Sequence, residues 1–560
     1  MTRYLFLIAA FLFVGFCHTA CSDDADNDDP DAGQGTGADS DTDTDSDTDT
    51  DTDTDSDADS DADMDTDEDP DSDSDSDADA DADTDTDTDD FVDVGGTITL
   101  TDVTDGRIFQ RDGDGEYDLL IEGTYTGDPT EIQARVLEDG INNEVVPWTT
   151  IDDSPEDGTF SGVLADIPEG GWYNIEVRIF HSTTAIDRGS SKFGVGALIV
   201  CAGQSHIDYW FDPAYGNGAP EAHDLTRMYR HEQVRQAGVA WTGWEPVTGM
   251  GARVFANKMS EALNIPVGLL DYGVNGASLW QAKSIMPANG WWLQDNSSKN
   301  PNADNYAVLK AGLESIGNKV EALLWVQGHT DAMGSGVTTE KYKTGIEELF
   351  GIMRNDTGVP QLPIFISLVT RQQGPPLAGN DVSIQAVRTA EEQYAEQDDN
   401  TYIGSTTIDL PLRSDKIHHT PAGQEMQADR LAQSVLHVLL GTAPYTYHRG
   451  AQIENYEIIN QTTIDIHLEH SGGTDFTPET DIKGFSFLGT GVGGIVSATR
   501  ENATTIRIVI NGNTSNITAV RYLYGKNPSN LSLNAFAEKY MHDNSPSELP
   551  VEGNVAIPPL

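Results

Sequence analysis

The sequence predicts an α/β fold with a parallel, doubly wound sheet in the middle of the chain and β-rich regions on either side of it. Apolar, strand-like runs occur at residues 197–202, 266–272, 322–327, 363–369 and 402–408. Amphipathic segments with apolar residues at spacings of three and four follow at 251–263, 306–316, 339–354, 382–396 and 422–440. Repeated strand–helix alternation is typical of a parallel sheet covered by helices. Ligands of such sheets bind at the carboxyl ends of the strands.

Both flanking regions predict antiparallel β structure without long helices. Alternating runs at 97–100, 117–121, 131–136 and 172–179 are separated by Gly, Asp and Pro turns, which indicates a small β-sandwich over residues 93–195. Similar runs at 463–469, 482–488, 505–510 and 519–524 predict a β-sandwich-like C-terminal domain over 444–560. The α/β domain between them spans 196–443.

Residues 1–92 predict export and a disordered tether rather than a folded domain. A charged start, an apolar run and small residues before Cys21 indicate a signal peptide over 1–20. The sequence Thr19-Ala20-Cys21-Ser22 resembles a bacterial lipoprotein cleavage box, which makes Cys21 the expected lipidation site. A plain secretory signal with a chance cysteine is the alternative. We expect an outer-membrane or cell-surface lipoprotein that contacts the membrane only through its lipid anchor.

The charge of the chain excludes one large class of partner. There are 31 basic and 94 acidic residues, a net charge of 31 − 94 = −63, and a protein this acidic does not bind nucleic acid. Of the acidic residues, 34 lie between positions 22 and 90, mostly in Asp-Thr, Asp-Ser and Asp-Ala dipeptides. Mutually repelling carboxylates with few apolar residues between them predict a solvated spacer over 21–92. A calcium site is the alternative interpretation of this segment.

Two polar motifs lie where the predicted sheet places its site. Gly203-Gln204-Ser205 ends the first strand, so Ser205 is exposed at a strand-to-helix turn and is a candidate nucleophile. Asp415-Lys416-Ile417-His418 precedes the last helix, and an Asp three residues before a His can orient its ring. Because the two strand ends share one crevice, Ser205, His418 and Asp415 form a candidate triad.

The motifs together resemble the four sequence blocks of the SGNH hydrolases, in the same order. The blocks are Gly203-Gln204-Ser205, Asn275-Gly276-Ala277-Ser278 after residues 266–270, Trp325-Val326-Gln327-Gly328-His329-Thr330-Asp331, and Asp415-x-x-His418. Within the superfamily the sequence looks like the sialate O-acetylesterase and acetylxylan esterase branch. The resemblance implies a flavodoxin-like, three-layer domain that hydrolyses acetyl esters on carbohydrate without metal or cofactor.

By this resemblance, Ser205 attacks the ester, His418 transfers the proton and Asp415 orients the imidazole. The oxyanion donors would be the backbone N–H groups of Ser205 and Gly276 and the side chain of Gln327.

Two positions depart from the family pattern, and they keep other interpretations open. His206 stands where the family has Asn, and His329 where it has Glu; with Asn275 they are candidate substrate contacts. A metal cluster of these histidines with His418 is a weaker alternative.

Tryptophans at 210, 241, 244, 280, 291 and 292 are predicted either to stack on sugar rings or to pack in the core. The rival function is a non-catalytic, carbohydrate-binding surface lipoprotein on a degenerate hydrolase scaffold.

Overall fold

The N-terminal part of the described chain is made of β-strands. The computed structural model describes residues 93–102, 106–230, 243–280, 290–294, 298–299, 304–333, 336–372, 381–441, 449–528, 540–545 and 554–556. The predicted signal peptide, Cys21 and the tether therefore lie outside the described residues. The first strands are β1 (Thr97–Leu100), β2 (Arg107–Gln110), β3 (Glu116–Thr126), β4 (Ile132–Glu138), β5 (Glu144–Asp152), β6 (Thr159–Pro168), β7 (Gly170–Ile179) and β8 (Ile186–Arg188).

Two sheets of this region share one apolar core. Strands β1, β3 and β6 form an antiparallel sheet in the order β1-β3-β6, while β4 pairs with both β5 and β7. Residues of the first sheet such as Leu119 and Phe160 pack with residues of the second such as Val136 and Ile175 in a single cluster. Buried and exposed residues alternate along β3, so that one face of the strand packs in the core and the other faces solvent.

The central region contains the α/β pattern that the sequence predicts. Its strands are β9 (Phe193–Gly203), β10 (Thr226–Arg230), β11 (Gly243–Pro246), β12 (Val267–Gly273), β13 (Ser278–Trp280), β14 (Gly290–Gln294), β15 (Ser298–Lys299), β16 (Ala322–Val326), β17 (Ile364–Ser367) and β18 (Thr401–Ser405). Its helices are α1 (Ser205–Asp208), α2 (Met250–Leu263), α3 (Asp304–Ile316), α4 (His329–Met333), α5 (Thr339–Thr357), α6 (Asp381–Gln397) and α7 (Pro421–Leu440).

The main sheet runs in the order β11-β10-β12-β9-β16-β17-β18, and only β11 is antiparallel to its neighbour along this path. Both faces of the sheet are covered. Leu198 and Val200 of β9 lie in a cluster with residues of α3, α5 and α6, whereas Ile199 and Cys201 lie in a second cluster with residues of α2 and α7. The result is a three-layer domain, which confirms the α/β part of the predicted fold. Cys201 is buried as a small apolar side chain, and burial raises the pKa of its thiol.

Strand β9 joins the N-terminal region to the main sheet. Its first half pairs with β2 and β7, and its second half pairs with β12 and β16. The predicted domain boundary between residues 195 and 196 falls inside this continuous strand. Residues Asp87–Leu560 form one compact unit.

The C-terminal part of the described chain is again β structure. Its strands are β19 (Gln452–Asn460), β20 (Thr463–Glu469), β21 (Phe476–Thr477), β22 (Phe485–Leu488), β23 (Ile495–Asn502), β24 (Thr505–Ile510), β25 (Ala519–Tyr522), β26 (His542–Asp543) and β27 (Asn554–Ala556). They form a four-stranded sheet β19-β20-β24-β23 and smaller sheets β22-β25-β27 and β21-β26. Among the described helices, none is both long and apolar enough to cross a membrane.

Candidate active site

The sequence-predicted residues gather at the carboxyl edge of the main sheet. Ser205 follows β9, Gly276 follows β12, Gln327 follows β16, and the segment with Asp415 and His418 lies between β18 and α7. These strands are parallel, so their carboxyl ends lie at the same edge. This is the edge at which open α/β sheets place their ligands.

The backbone before Ser205 requires glycine. Gly203 has φ +146°, and a Cβ at this position would lie 2.2 Å from the carbonyl oxygen of Val326. Only glycine allows β9 to end this close to β16. The Gln204 Oε1 atom then accepts hydrogen bonds from the backbone N–H groups of Gly328 (3.1 Å) and Thr330 (3.2 Å). The end of β9 and the start of α1 are thus fixed to the segment after β16.

Ser205, His418 and Asp415 are connected by hydrogen bonds. The Ser205 Oγ atom lies 2.8 Å from His418 Nε2, and His418 Nδ1 lies 2.9 Å from Asp415 Oδ2. The other carboxylate oxygen of Asp415 accepts from the N–H groups of Ile417 (2.9 Å) and His418 (3.0 Å). Partial burial acts to raise the pKa of Asp415, but the hydrogen bonds from the His418 ring and these N–H groups outweigh it and hold the pKa well below its usual range. The carboxylate therefore stays ionised beside the imidazole.

The turn after β12 presents Asn275 and Gly276. Gly276 has φ +73°, a conformation that side chains other than glycine and asparagine rarely adopt. Asn275 is exposed, and its Nδ2 atom donates to the Tyr209 hydroxyl at 3.3 Å. Tyr209 in turn lies against His418, with 4.7 Å between the ring centroids. Asn275 is therefore close to the candidate triad and accessible from solvent.

Gln327 has a different environment from the one predicted. Its Nε2 atom lies 2.6 Å from Asp331 Oδ2 and 3.2 Å from the Ala277 carbonyl oxygen, and its Oε1 atom accepts from the Tyr342 hydroxyl at 2.8 Å. An amide has two N–H bonds, and both point at acceptors inside the protein. In this structure Gln327 therefore connects the segments after β12 and β16, and its role as an oxyanion donor stays a prediction.

His206 and His329 are also placed differently from the prediction. Each is 3% exposed, and the two rings are stacked, with centroids 3.8 Å apart and an interplanar angle of 9°. Burial lowers the pKa of both rings well below the usual value. Both rings are almost completely buried, and a contact of either with substrate stays a prediction. Within the described part of the chain, no three His, Cys, Asp or Glu side chains are grouped so that they could hold a metal ion.

The sequence analysis did not identify an aromatic and cationic surface beside His418. Tyr209 and Tyr215 lie 4.9 Å apart between ring centroids, and the guanidinium of Arg413 lies 3.9 Å from the centroid of Tyr215. All three side chains are partly exposed. The position of Arg413, two residues before Asp415, was the signal available in the sequence. We call Tyr209, Tyr215 and Arg413 the tyrosine–arginine patch.

Most of the tryptophans that flank the site pack in the core. Trp210 and Trp291 are 0% exposed and Trp280 is 4% exposed. The Trp291 Nε1 atom donates to the carbonyl oxygen of Gly203 at 2.9 Å, which supports the turn before Ser205. Trp244 is partly buried against Tyr229. Trp241 and the side chain of Trp292 lie outside the described residues.

The comparisons with known proteins agree with this fold. Residues 195–437 match the family model described as carbohydrate esterase, sialic acid-specific acetylesterase. The match confirms, over the central region of the chain, the resemblance to the sialate O-acetylesterase branch that the sequence blocks predict. Among curated proteins, none matches the chain.

Solved structures show similarity over a longer part of the chain. A carbohydrate acetylesterase from Xanthomonas citri superposes with a TM-score of 0.55 at 18% identity, covering 81% of this chain and 98% of that one. At this identity the likeness shows the fold. A family two carbohydrate esterase from Clostridium thermocellum in complex with cellohexaose gives a TM-score of 0.29 at 12% identity, covering 60% of this chain and 99% of that one.

Proposed function

We propose that the protein is a carbohydrate O-acetylesterase that uses Ser205, His418 and Asp415 as a catalytic triad. One observation carries the proposal: the unbroken chain of hydrogen bonds from Ser205 Oγ to His418 Nε2 (2.8 Å) and from His418 Nδ1 to Asp415 (2.9 Å). A base within hydrogen-bond reach of a serine hydroxyl, itself oriented by a carboxylate, is the arrangement that activates a serine nucleophile.

In the proposed reaction, Ser205 Oγ attacks the acetyl carbonyl carbon while His418 Nε2 takes the hydroxyl proton. The tetrahedral intermediate collapses, the bond to the sugar oxygen breaks, and His418 returns the proton to that oxygen. Water, deprotonated by His418, then attacks the acetyl-serine; the bond to Ser205 Oγ breaks, His418 returns the proton to that oxygen, and acetate leaves. Asp415 stays ionised throughout and stabilises the imidazolium form of His418.

The negative oxygen of the intermediate needs donors at the start of α1 and after β12. The N–H of Ser205 lies in the first turn of a helix, where backbone donors have no partner within the helix, and Gly276 lies in the neighbouring turn. We propose these two N–H groups as the oxyanion donors. Loss of one such donor typically costs about a hundred- to a thousandfold in rate.

The tyrosine–arginine patch supports a sugar as the substrate, because aromatic rings bind the apolar faces of sugar rings. It also bears on the choice between acetylated sialic acid and acetylated xylan. The Arg413 guanidinium has no carboxylate partner among the described residues, and a guanidinium binds a carboxylate strongly. We propose that the enzyme prefers an acetylated sugar that bears a carboxylate, such as sialic acid, over neutral xylan.

The test is acetate release from 4-nitrophenyl acetate, acetylated sialic acid and acetylated xylan. Release by the wild type that disappears in Ser205→Ala, with unchanged thermal unfolding, is the expected result. Arg413→Gln is expected to raise KM for the sialic acid and leave KM for xylan unchanged. No release above Ser205→Ala on any substrate would overturn the proposal and favour a carbohydrate-binding scaffold.

For the N-terminal segment we propose lipidation at Cys21 and display at the bacterial surface through the Asp-rich tether. The support is the sequence Thr19-Ala20-Cys21-Ser22 after an apolar run. Labelled palmitate is expected to enter the full-length chain and not Cys21→Ala. Release of the unlabelled wild type into the medium would contradict this proposal.

A further inference from the structure

A second histidine holds the backbone next to His418. The His206 Nε2 atom lies 3.1 Å from the carbonyl oxygen of Ile417, the residue before His418. Because a carbonyl only accepts, Nε2 of His206 is the donor and carries the ring proton. The ring of His206 is buried, so Ile417 cannot move away without losing this hydrogen bond to a group that has no access to water.

His329 fixes the other face of the His206 ring. The two rings are nearly parallel, 3.8 Å apart between centroids. The Nε2 atom of His329 accepts from the N–H of Thr370 at 3.0 Å, and the hydroxyl of Thr370 donates to the Thr407 carbonyl at 2.6 Å. Thr407 lies in the segment that leads from β18 to the candidate triad. The stack is thus attached to this segment at two places, through Thr407 and through Ile417.

The surroundings of the stack disfavour a positive charge on either ring. The titratable groups that face His206 are His329, His418 (5.0 Å between centroids) and His419 (5.4 Å). His329 is also acted on by the positive charge of Arg388. Burial comes first and these basic neighbours second in lowering the pKa of both rings.

Neutral rings have a consequence for the proposed reaction. His418 becomes positively charged each time it takes the proton of Ser205. A charged His206 would repel that imidazolium at a centroid distance of 5.0 Å. A neutral His206 ring can donate to the Ile417 carbonyl without this repulsion. It can therefore hold the backbone beside His418 without opposing the positive charge that His418 acquires.

We propose that His206 is a positioning residue, which holds Ile417 and thereby His418 in line with Ser205, and that His329 keeps the His206 ring in place by stacking on it. This inference rests on the proposed function of Ser205 and His418. It also gives the two departures from the family pattern a joint role, since the stack needs both imidazoles. His206 itself contacts no reacting atom.

The test compares two variants of His206. His206→Phe keeps a flat ring for stacking but removes the donor, whereas His206→Gln keeps an N–H donor at the position of Nε2. We expect His206→Phe to lower kcat on 4-nitrophenyl acetate about 10- to 100-fold, the size of effect that small misplacements produce, with KM within about twofold of wild type. We expect His206→Gln to recover most of the loss. His437→Phe, on α7, is the control for a His-to-Phe change elsewhere in the domain.

A second readout keeps this test independent of the substrate. The rate at which a fluorophosphonate labels Ser205 depends on serine activation and on no sugar, and we expect it to fall in His206→Phe in parallel with kcat. A wild type that is labelled at Ser205 but releases no acetate from any carbohydrate contradicts the proposed substrate, and the labelling rates then still test the role of His206. A wild type that is not labelled overturns both proposals.

Two results would overturn the positioning role alone. One is His206→Phe with kcat and labelling rate within twofold of wild type. The other is equal loss in the Phe and Gln variants with an equal fall in the unfolding temperature, which would mean that packing rather than the hydrogen bond matters. If His206→Phe does not fold, Gln is compared with Asn, whose shorter amide does not reach Ile417. Equal activity of those two variants would overturn the proposal.

Discussion

At the residue scale, the candidate triad depends on a carboxylate that stays ionised in a half-exposed position. Asp415 accepts two backbone N–H groups and the His418 ring. The neighbouring polar groups behave differently: the pKa of Asp331 is raised to about 6 by burial, against the hydrogen bond from Gln327 that acts to lower it. The pKa of Asp415 is therefore lowered by its hydrogen bonds, whereas the pKa of Asp331 is raised because the side chain is buried.

We expect Asp415→Asn to lower kcat on 4-nitrophenyl acetate by about a hundred- to ten-thousandfold, because an amide in place of the carboxylate stabilises the wrong tautomer of the imidazole. The unfolding temperature should change by no more than about 2 °C, since the side chain is half exposed. Steady-state kinetics and thermal unfolding check both statements. Asp399→Asn, an exposed acid on the same domain, is the control. A kcat within threefold of wild type would remove Asp415 from the triad.

We expect Asp331→Asn to gain stability relative to wild type as the pH rises. Folded Asp331 has a pKa of about 6, against a model-compound value of 3.8. Between these pH values the folded state binds more protons than the unfolded state, so wild-type stability falls as pH rises through this window. The difference in unfolding free energy between variant and wild type should grow by about 1–3 kcal/mol from pH 4 to pH 7.5.

Urea unfolding at several pH values measures that difference. Protonation of the buried histidines affects both proteins equally and cancels. A difference that stays constant over the whole range would show that Asp331 ionises at its ordinary pH in the folded protein.

At the scale of elements, the ends of strands position the site more than the helices do. Strand β9 stops against β16 at Gly203, and α1 starts two residues later. Two of the longer helices are capped in the usual way: Thr338 and Thr420 directly precede α5 and α7, and their side chains accept from the backbone N–H groups of Lys341 and Gly423. The sequence pattern alone defines such helices, whereas the turn at Ser205 depends on the close approach of β9 to β16.

We expect Gly203→Ala to lower the unfolding temperature strongly and to abolish activity. A methyl group there meets the Val326 carbonyl oxygen at 2.2 Å, and φ +146° disfavours any side chain. The control is Gly351→Ala, at an exposed position inside α5 with no atom within 4 Å of the new Cβ. This control should gain about 0.4–1 kcal/mol of stability. Thermal unfolding of both variants measures the contrast, and equal stability of the two would contradict this interpretation of the turn.

At the scale of the whole molecule, both flanking regions support the central domain. On the N-terminal side, Gln110 accepts from the Leu198 N–H at 2.8 Å and donates to Glu321 at 2.7 Å. On the C-terminal side, Arg388 of α6 donates to the Gly525 carbonyl at 2.8 Å. These contacts involve buried polar groups, which are costly to leave without partners.

The C-terminal region also reaches the segment that carries the candidate triad. His542 Nε2 lies 3.5 Å from Asp409 Oδ2, and Asp409 forms a buried, two-bond ion pair with Arg430 of α7 at 2.8 Å for each bond. Asp409 precedes Asp415 in the same segment. The C-terminal strands therefore help to fix the position of the segment that carries Asp415 and His418.

We expect a chain that begins at residue 87 to keep the unfolding temperature and kcat of the full protein, because residues 87–560 form one compact unit. A chain that begins at residue 196 should be insoluble or lose most of its stability. That cut removes the first part of β9 with its partners β2 and β7, and it removes Gln110, which accepts from the buried Leu198 N–H. Soluble yield and thermal unfolding test the pair, and a stable, active shorter chain would show that the flanking strands are dispensable.

The sequence by itself determined the helices, the buried strands and the edge of the sheet at which the site lies. Apolar spacing together with segment length distinguishes a long amphipathic helix from a short buried strand, and the segments predicted at 339–354 and 422–440 are α5 and α7. The sequence indicated Ser205, His418 and Asp415 as candidate site residues because they lie in short motifs. Ser205 directly follows a predicted strand, and Asp415 and His418 directly precede a predicted helix. In the structure hydrogen bonds join the three side chains, and their catalytic role stays a prediction.

Only the tertiary structure decided which polar side chains face the substrate and which are used inside the protein. The resemblance to the family's sequence blocks placed Gln327, His206 and His329 at the site, but their partners Ala277, Ile417 and Thr370 come from other segments. The sequence also did not reveal that β9 continues across the predicted boundary between residues 195 and 196 and pairs with other strands on both sides of it. Contacts between distant segments depend on how the strands pack, and local sequence patterns carry no information about them.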